Sequence, residues 1–352
     1  MAVQLPGPHA TAWHFFDLGA DLLVGRGPEG DGWGLALYRD HPELQFGPLS
    51  IVVALPFSLL GHLLGTTTAE VAVMVAGSAL GLLVVGLLLD VVDELVPGGR
   101  ASLSPSAALA AGLVVVITWG DVAVRTAHID DALALTGLVF ALRAVARGEG
   151  WVATAALAFA AAAKPWAAVF VPLAAVPEGR HRLLRPLVAG GIAVLTWMPF
   201  ILAEPATLDT SDFAIDNDPT SVLRALGVDA ATTPEWVRPA QLLGGFAVVA
   251  GLVLWRRWPA ALLAGIAWRL LLDPGAHRYY TVGFVLGALV LEMRARPGRP
   301  PWLTIAGAVV LEATAVPDGP VGVGQALRLT VVVAALVIAV VAGRRDERSE
   351  VG

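Results

Sequence analysis

The chain has 352 residues, 57% of them hydrophobic and only 15% charged, with a mean hydropathy of +0.73 and a net charge of −6. A soluble globular chain carries about one quarter charged residues, so this composition points to an all-α polytopic membrane protein. Cysteine is absent, which excludes disulfides, thiol nucleophiles and Cys-ligated metals, and no basic block argues for nucleic acid as a partner.

The opening MAVQLPGPHATAW lacks the basic start and apolar run of a signal peptide, so the first span is expected only after a polar, aromatic stretch, Trp13–Pro56. Within it Asp17 and Asp21 are four residues apart in FFDLGADLL and share one face of an interfacial helix. There a carboxylate either faces water or serves as a general base toward a hydroxyl. His14 and Tyr38 are polar aromatics of the same stretch, followed by Arg39, Asp40, His41 and Glu43.

Apolar runs then follow at Pro48–Leu64, Ala69–Leu89, Ser106–Trp119, Ala132–Val145, Trp151–Ala163, Pro165–Val176, Leu183–Leu202, Pro239–Trp255, Ala260–Leu272, Tyr279–Leu291, Trp302–Val316 and Ala326–Ala342. A full span needs about 20 residues, so several of these 10–12 membrane segments read as short or broken helices. The chain forms one membrane domain: a polar loop with its interfacial helix (1–47), a helical module (48–202), an extracytoplasmic loop (203–238), C-terminal helices (239–343) and a cytoplasmic tail (344–352).

Arginines mark the turns expected on the cytoplasmic side: Arg143/Arg147, Arg180/Arg182/Arg185, Arg256/Arg257, Arg294/Arg296/Arg299 and Arg344/Arg345/Arg348. This predicts a cytoplasmic C-terminus, in a protein expected in the plasma membrane, and Trp151–Val176 as a hairpin whose outward tip is Lys164–Pro165. If both Pro48–Leu64 and Ala69–Leu89 cross, the opening stretch falls in the cytoplasm. It reaches the outer face only if one short segment, such as the proline-bearing Pro48–Leu64, does not cross.

Later polar constellations fall on the outer face. WGDVAVRTAHIDDALAL offers Asp121, Arg125, His128, Asp130 and Asp131, where an Asp opening a helix is also an ordinary cap or first-turn acid. Lys164, the only lysine, stands in AFAAAAKPWAAVF. An ammonium in apolar sequence either faces a cavity or snorkels, and as a point charge it suits a phosphate oxygen. LLLDPGAHRYY carries Asp273, His277, Arg278, Tyr279 and Tyr280, which bind a phosphate and sugar or serve as interfacial anchors. The loop acids Asp209, Asp212, Asp216 and Asp218 read as solvated, and Asn217 is the only asparagine. Arg269 and Glu312, near span ends, read as snorkelling or paired.

The opening stretch resembles the first extracytoplasmic loop of GT-C superfamily glycosyltransferases, nearest to family 87, which includes actinobacterial mannosyltransferases. The matching residues are His14, Phe15, Phe16, Gly19–Ala20, Gly25, Tyr38, Phe46 and Pro48, and Asp130–Val176 resembles the superfamily's helix and hairpin with an outward lysine. The resemblance implies a GT-C-like bundle and an inverting transferase that moves a sugar, mannose favoured, from a polyprenyl-phosphate donor to a lipid or glycan acceptor. No cofactor is implied, and the D-x-D of Asp216–Asp218 is only a weak signal for a divalent metal. Lys164, Arg278, Arg125 and His277 would bind the donor phosphate, His14, Tyr38, His128, Tyr279 and Tyr280 the acceptor or sugar. The family's helix before this loop has no counterpart here, and its usual acid upstream of the aromatic pair is replaced by Thr11–Ala12. The base therefore falls to Asp17 by preference, with Asp21, Asp130 and Asp131 as the other acids. A transporter or lipid flippase, or a non-catalytic scaffold, are the competing expectations.

Overall fold

The computed structural model describes residues 9–27, 32–96, 98–315 and 320–342. The described chain folds into α1 (Trp13–Leu23), α2 (Pro48–Leu64), α3 (Thr66–Leu95), α4 (Pro105–Gly120), α5 (Ile129–Ala146), α6 (Gly150–Ala163), α7 (Leu184–Ala203), the short α8 (Val222–Ala225), α9 (Val237–Leu254), α10 (Ala261–Leu271), α11 (Thr281–Ala295), α12 (Trp302–Ala313) and α13 (Val321–Ala342), with no strand among the described residues. Proline and glycine set many boundaries. Pro48 and Pro105 open their helices at positions where a missing N–H costs nothing. Gly65, at φ +96°, lets the chain reverse from α2 into α3.

Five segments are long and apolar enough to cross a bilayer: α3, the continuous Pro105–Thr126, α7, α9 and α13. At most 39% of each apolar window is buried in the protein, so each turns a lipid-facing side outward. In contrast, α5, α10 and α11 are buried on nearly every side, as expected for helices apolar all round. This is an all-α membrane protein with its five long helices outside and α5, α10 and α11 within.

Contacts between helix ends sort the bundle into two ends. At one, Asp90 near the close of α3 meets Arg143 (2.8 Å) and Arg147 (3.7 Å) from the close of α5, and also Arg100. The same end gathers Arg185 on the Pro177 carbonyl, Arg256 beside Glu178 (3.5 Å) and Arg257 on the Val340 carbonyl (3.1 Å). Arg344, Arg345 and Arg348 lie outside the described residues.

The opening stretch lies at the other end. The N–H groups of Ala10, Thr11 and Ala12 donate to the carbonyls of Val124, Arg125 and Thr126, and the Gly47 N–H donates to Ala163 O at 2.9 Å. Arg238 at the start of α9 reaches Gln45 (3.2 Å), and Glu204 after α7 lies 3.9 Å from Arg39. α3, of 30 residues and about 45 Å, ends among the arginines, so it begins at the opposite end. α2 starts beside Ala163 and closes against the start of α3, where Gly61 meets Ala69. α2 thus runs between the level of the hairpin tip and the start of α3.

The inner hairpin has unequal arms of equal length. α6 rises about 21 Å over its 14 residues, and the return arm, Pro165–Ala175, is an 11-residue 3-10 helix that rises about 22 Å. Its tip, Lys164–Pro165, therefore stops at the level where α5 begins. From Arg143 back to Asp130 along α5 is about 20 Å, roughly 10 Å less than a hydrocarbon core.

Candidate functional site

The turn between α4 and α5 prepares the site. α4 widens into a π-helical turn, Asp121–Thr126, and Ala127 reverses the chain at φ +53°. A left-handed residue with a Cβ costs about 1–2 kcal/mol, and the Thr126 hydroxyl on Asp121 O (2.7 Å) together with His128 N–H on Val122 O (2.9 Å) hold the turn. His128, Asp130 and Asp131 are thereby delivered to the start of α5, facing the hairpin tip.

Lys164 hydrogen-bonds Asp130 and lies 3.9 Å from Asp131 Oδ2. Both aspartates are buried, Asp130 completely. Trp166 donates its indole N–H to Asp131 Oδ1 (3.0 Å), while His128 Nδ1 stands 3.3 Å from Asp130 Oδ1 and 3.9 Å from Asp131 Oδ2. Asp131 Oδ2 is buried with no hydrogen-bond partner, a condition rare in native interiors.

Arg269, near the end of α10, completes the centre. Its guanidinium lies between the rings of Trp166 (4.7 Å) and Tyr280 (4.4 Å), 4.0 Å from Asp131 Oδ1 and 3.7 Å from Asp273 Oδ2. Asp273 is buried and accepts from the Gly275 N–H at 2.9 Å, and burial pushes its carboxyl above the ordinary value. Tyr279 stacks on both His128 (4.1 Å) and His277 (5.2 Å). Burial holds the His277 imidazole below its usual value. Asp131, Trp166, Arg269, Tyr279 and Tyr280 also line a small pocket.

Of the residues expected from sequence, Lys164, Asp130, Asp131, His128, Tyr279, Tyr280 and His277 converge. Others do not. Asp21 is engaged by His62 (2.7 Å) and the Ser58 hydroxyl (3.1 Å) of α2. Asp17 shares that face of α1 with Asp21 and Trp13, whose ring meets Phe57 of α2, and makes no hydrogen bond or ion pair among the described residues. It is Phe16, a step round the helix, that reaches His128 (6.3 Å). His14 is exposed, its ring against Phe15.

Tyr38 lies in the core, packed on Trp197 and Phe200 with its hydroxyl donating to Phe46 O at 3.2 Å. Arg125 and Arg278 are paired with Asp121 (2.9 Å) and Glu312 (3.8 Å). The lone Asn217 has a structural task. It is buried and ties its loop together through Val228 O, Ala230 O and the Ser221 hydroxyl. Asp209 and Asp216 are exposed, Asp218 caps Thr220, and the Asp212 side chain lies outside the described set.

Sequence reasoning missed Arg269 and Trp166. Arg269 was readable only as one more span-end arginine, although its i,i+4 spacing to Asp273 was a usable signal. Trp166 directly follows Lys164–Pro165 and had no mark beyond that. Comparisons of the chain with protein-family models, with curated proteins and with solved structures return no match.

Proposed function

We propose that the chain is a membrane glycosyltransferase of the GT-C type that takes a sugar from a polyprenyl-phosphate donor and inverts the anomeric centre. Two things support this: the resemblance of the opening stretch, and one geometric observation that carries the reading. Lys164 and Arg269 are set at the ends of inner helices, on the side of the opening stretch and about 20 Å from the arginine-rich end. Charges recessed to that depth meet a phosphate carried by a lipid more readily than one dissolved in water.

In this mechanism the acceptor oxygen attacks the anomeric carbon as the bond to the phosphate oxygen breaks. The polyprenyl phosphate departs with the bonding electrons against Lys164 and Arg269. Asp273 takes the acceptor proton; its raised basicity suits a general base. Purified protein with polyprenyl-phosphate mannose and lipid or glycan acceptors tests the reading. Transfer by the wild type and its loss in folded Lys164→Ala and Arg269→Lys variants are expected; no transfer, or full activity in both variants, would sink it.

A cation-coupled transporter is the second reading, favoured by the balance of the centre. Three carboxylates (Asp130, Asp131, Asp273) face two cations (Lys164, Arg269). Cation-dependent solute flux in proteoliposomes without sugar transfer would select it.

A further inference from the structure

The centre is one positive charge short before either histidine is counted, and its shortfall has a location. Asp130 gives one carboxylate oxygen, Oδ2, to Lys164, and Asp131 gives one, Oδ1, to Trp166. The remaining oxygens, Asp130 Oδ1 and Asp131 Oδ2, both lie near His128 Nδ1, at 3.3 Å and 3.9 Å. Asp131, nine-tenths buried and more, thus presents an unpartnered oxygen to a histidine nitrogen and a second carboxylate.

We propose that His128, Asp130 and Asp131 bind a divalent cation of the Mn2+ or Mg2+ class. Ligand atoms of the three residues lie within 4.8 Å of one another. Around an ion with bonds of about 2.1 Å, neighbouring ligands stand about 3–4 Å apart, which both measured separations meet. Carboxylate oxygens with one imidazole suit these ions. Trp166 holds the other oxygen of Asp131 and Lys164 the other oxygen of Asp130, outer contacts of the kind that orient metal ligands. Lys164 hydrogen-bonds the far oxygen of Asp130 and lies 3.9 Å from Asp131 Oδ2, so the ion would enter beside the ammonium. Asp130 also accepts the Asp131 N–H at 2.8 Å, which holds it at the helix start.

The ion changes what the centre accepts. Without it a phosphodiester anion enters a site that is already negative. With it the site carries one net positive charge and matches a singly charged phosphate. That role rests on the transferase reading; the ion site itself does not.

Mn2+ titration of the purified full chain in nanodiscs without donor, followed by electron paramagnetic resonance, tests the site. One Mn2+ per chain is expected, weakened at least about 10-fold in His128→Ala and Asp131→Asn. Trp166→Phe, which keeps the ring beside Arg269, is expected to weaken it about 10-fold. Thermal unfolding confirms each variant's fold, and if Asp131→Asn does not fold, the other two decide. Absence of bound Mn2+ at millimolar concentration, or wild-type affinity in His128→Ala and Trp166→Phe, overturns the proposal. Binding without sugar transfer leaves the ion site standing and removes the transferase. Transfer unaffected by chelator in a protein that binds no Mn2+ does the reverse.

Discussion

Two clusters of the same residue types occupy opposite ends of this bundle and differ in almost every physical respect. At one end Arg100, Arg143 and Arg147 meet Asp90, Asp93 and Glu94 with side chains a fifth to a half exposed, so that water and salt share their field. At the other, Lys164 and Arg269 meet three carboxylates among tryptophan, tyrosine and apolar helix, with one acid oxygen unsatisfied. The first arrangement costs little and holds chain ends together; the second is expensive to bury and persists only where something uses it. Burial, more than residue identity, separates the two clusters.

The largest test of that contrast is Lys164→Met. Losing one member of a buried pair leaves Asp130 uncompensated and is expected to cost about 3–5 kcal/mol, read as a lower Tm in detergent. Adding Asp130→Asn should restore most of the stability, and a single variant as stable as the wild type would erase the distinction between the ends.

Gly150→Ala probes the arginine end where it is tightly packed. A Cβ there would fall 1.3 Å from the Arg185 guanidinium, which is buried on the Pro177 and Glu178 carbonyls. Displacing it should cost about 2 kcal/mol, with any loss of activity following loss of folded protein. Arg147→Ala, at an exposed pair with Glu94, should change stability by less than about 1 kcal/mol and lose even that at high salt.

The smallest effect is a pH dependence. His277 has its folded value depressed by burial, so the unfolded chain binds the extra proton once pH falls below about 6.5. Stability should decline from pH 7.5 to 5.5, and His277→Gln should flatten that decline in parallel thermal melts.

Much of the architecture was legible. Pro48–Leu64 is a helix with those bounds, and the hairpin tip at Lys164 follows from proline after a run of alanine. Ala69–Leu89 was read too short, because Glu94 and Thr66 look like loop residues until Arg147 and the α2 hairpin hold them in helix. The centre was legible in its local parts and not in its joins. Asp21 and Asp131 are equally plausible acids in one dimension, and only packing gives one to His62 and the other to Trp166. Arg269 escaped for the same reason, since a span-end arginine shows its partners only after folding.

The 3-10 form of Pro165–Ala175 works as a gauge block. Wound as an α-helix, its eleven residues would reach only about 16–17 Å. The lysine ahead of it would then be drawn some 5 Å toward the arginine end, out of step with the first turn of α5. A backbone that rises half an ångström more per residue thus sets how deep the ammonium stands, a tolerance held by chain geometry instead of by any side chain.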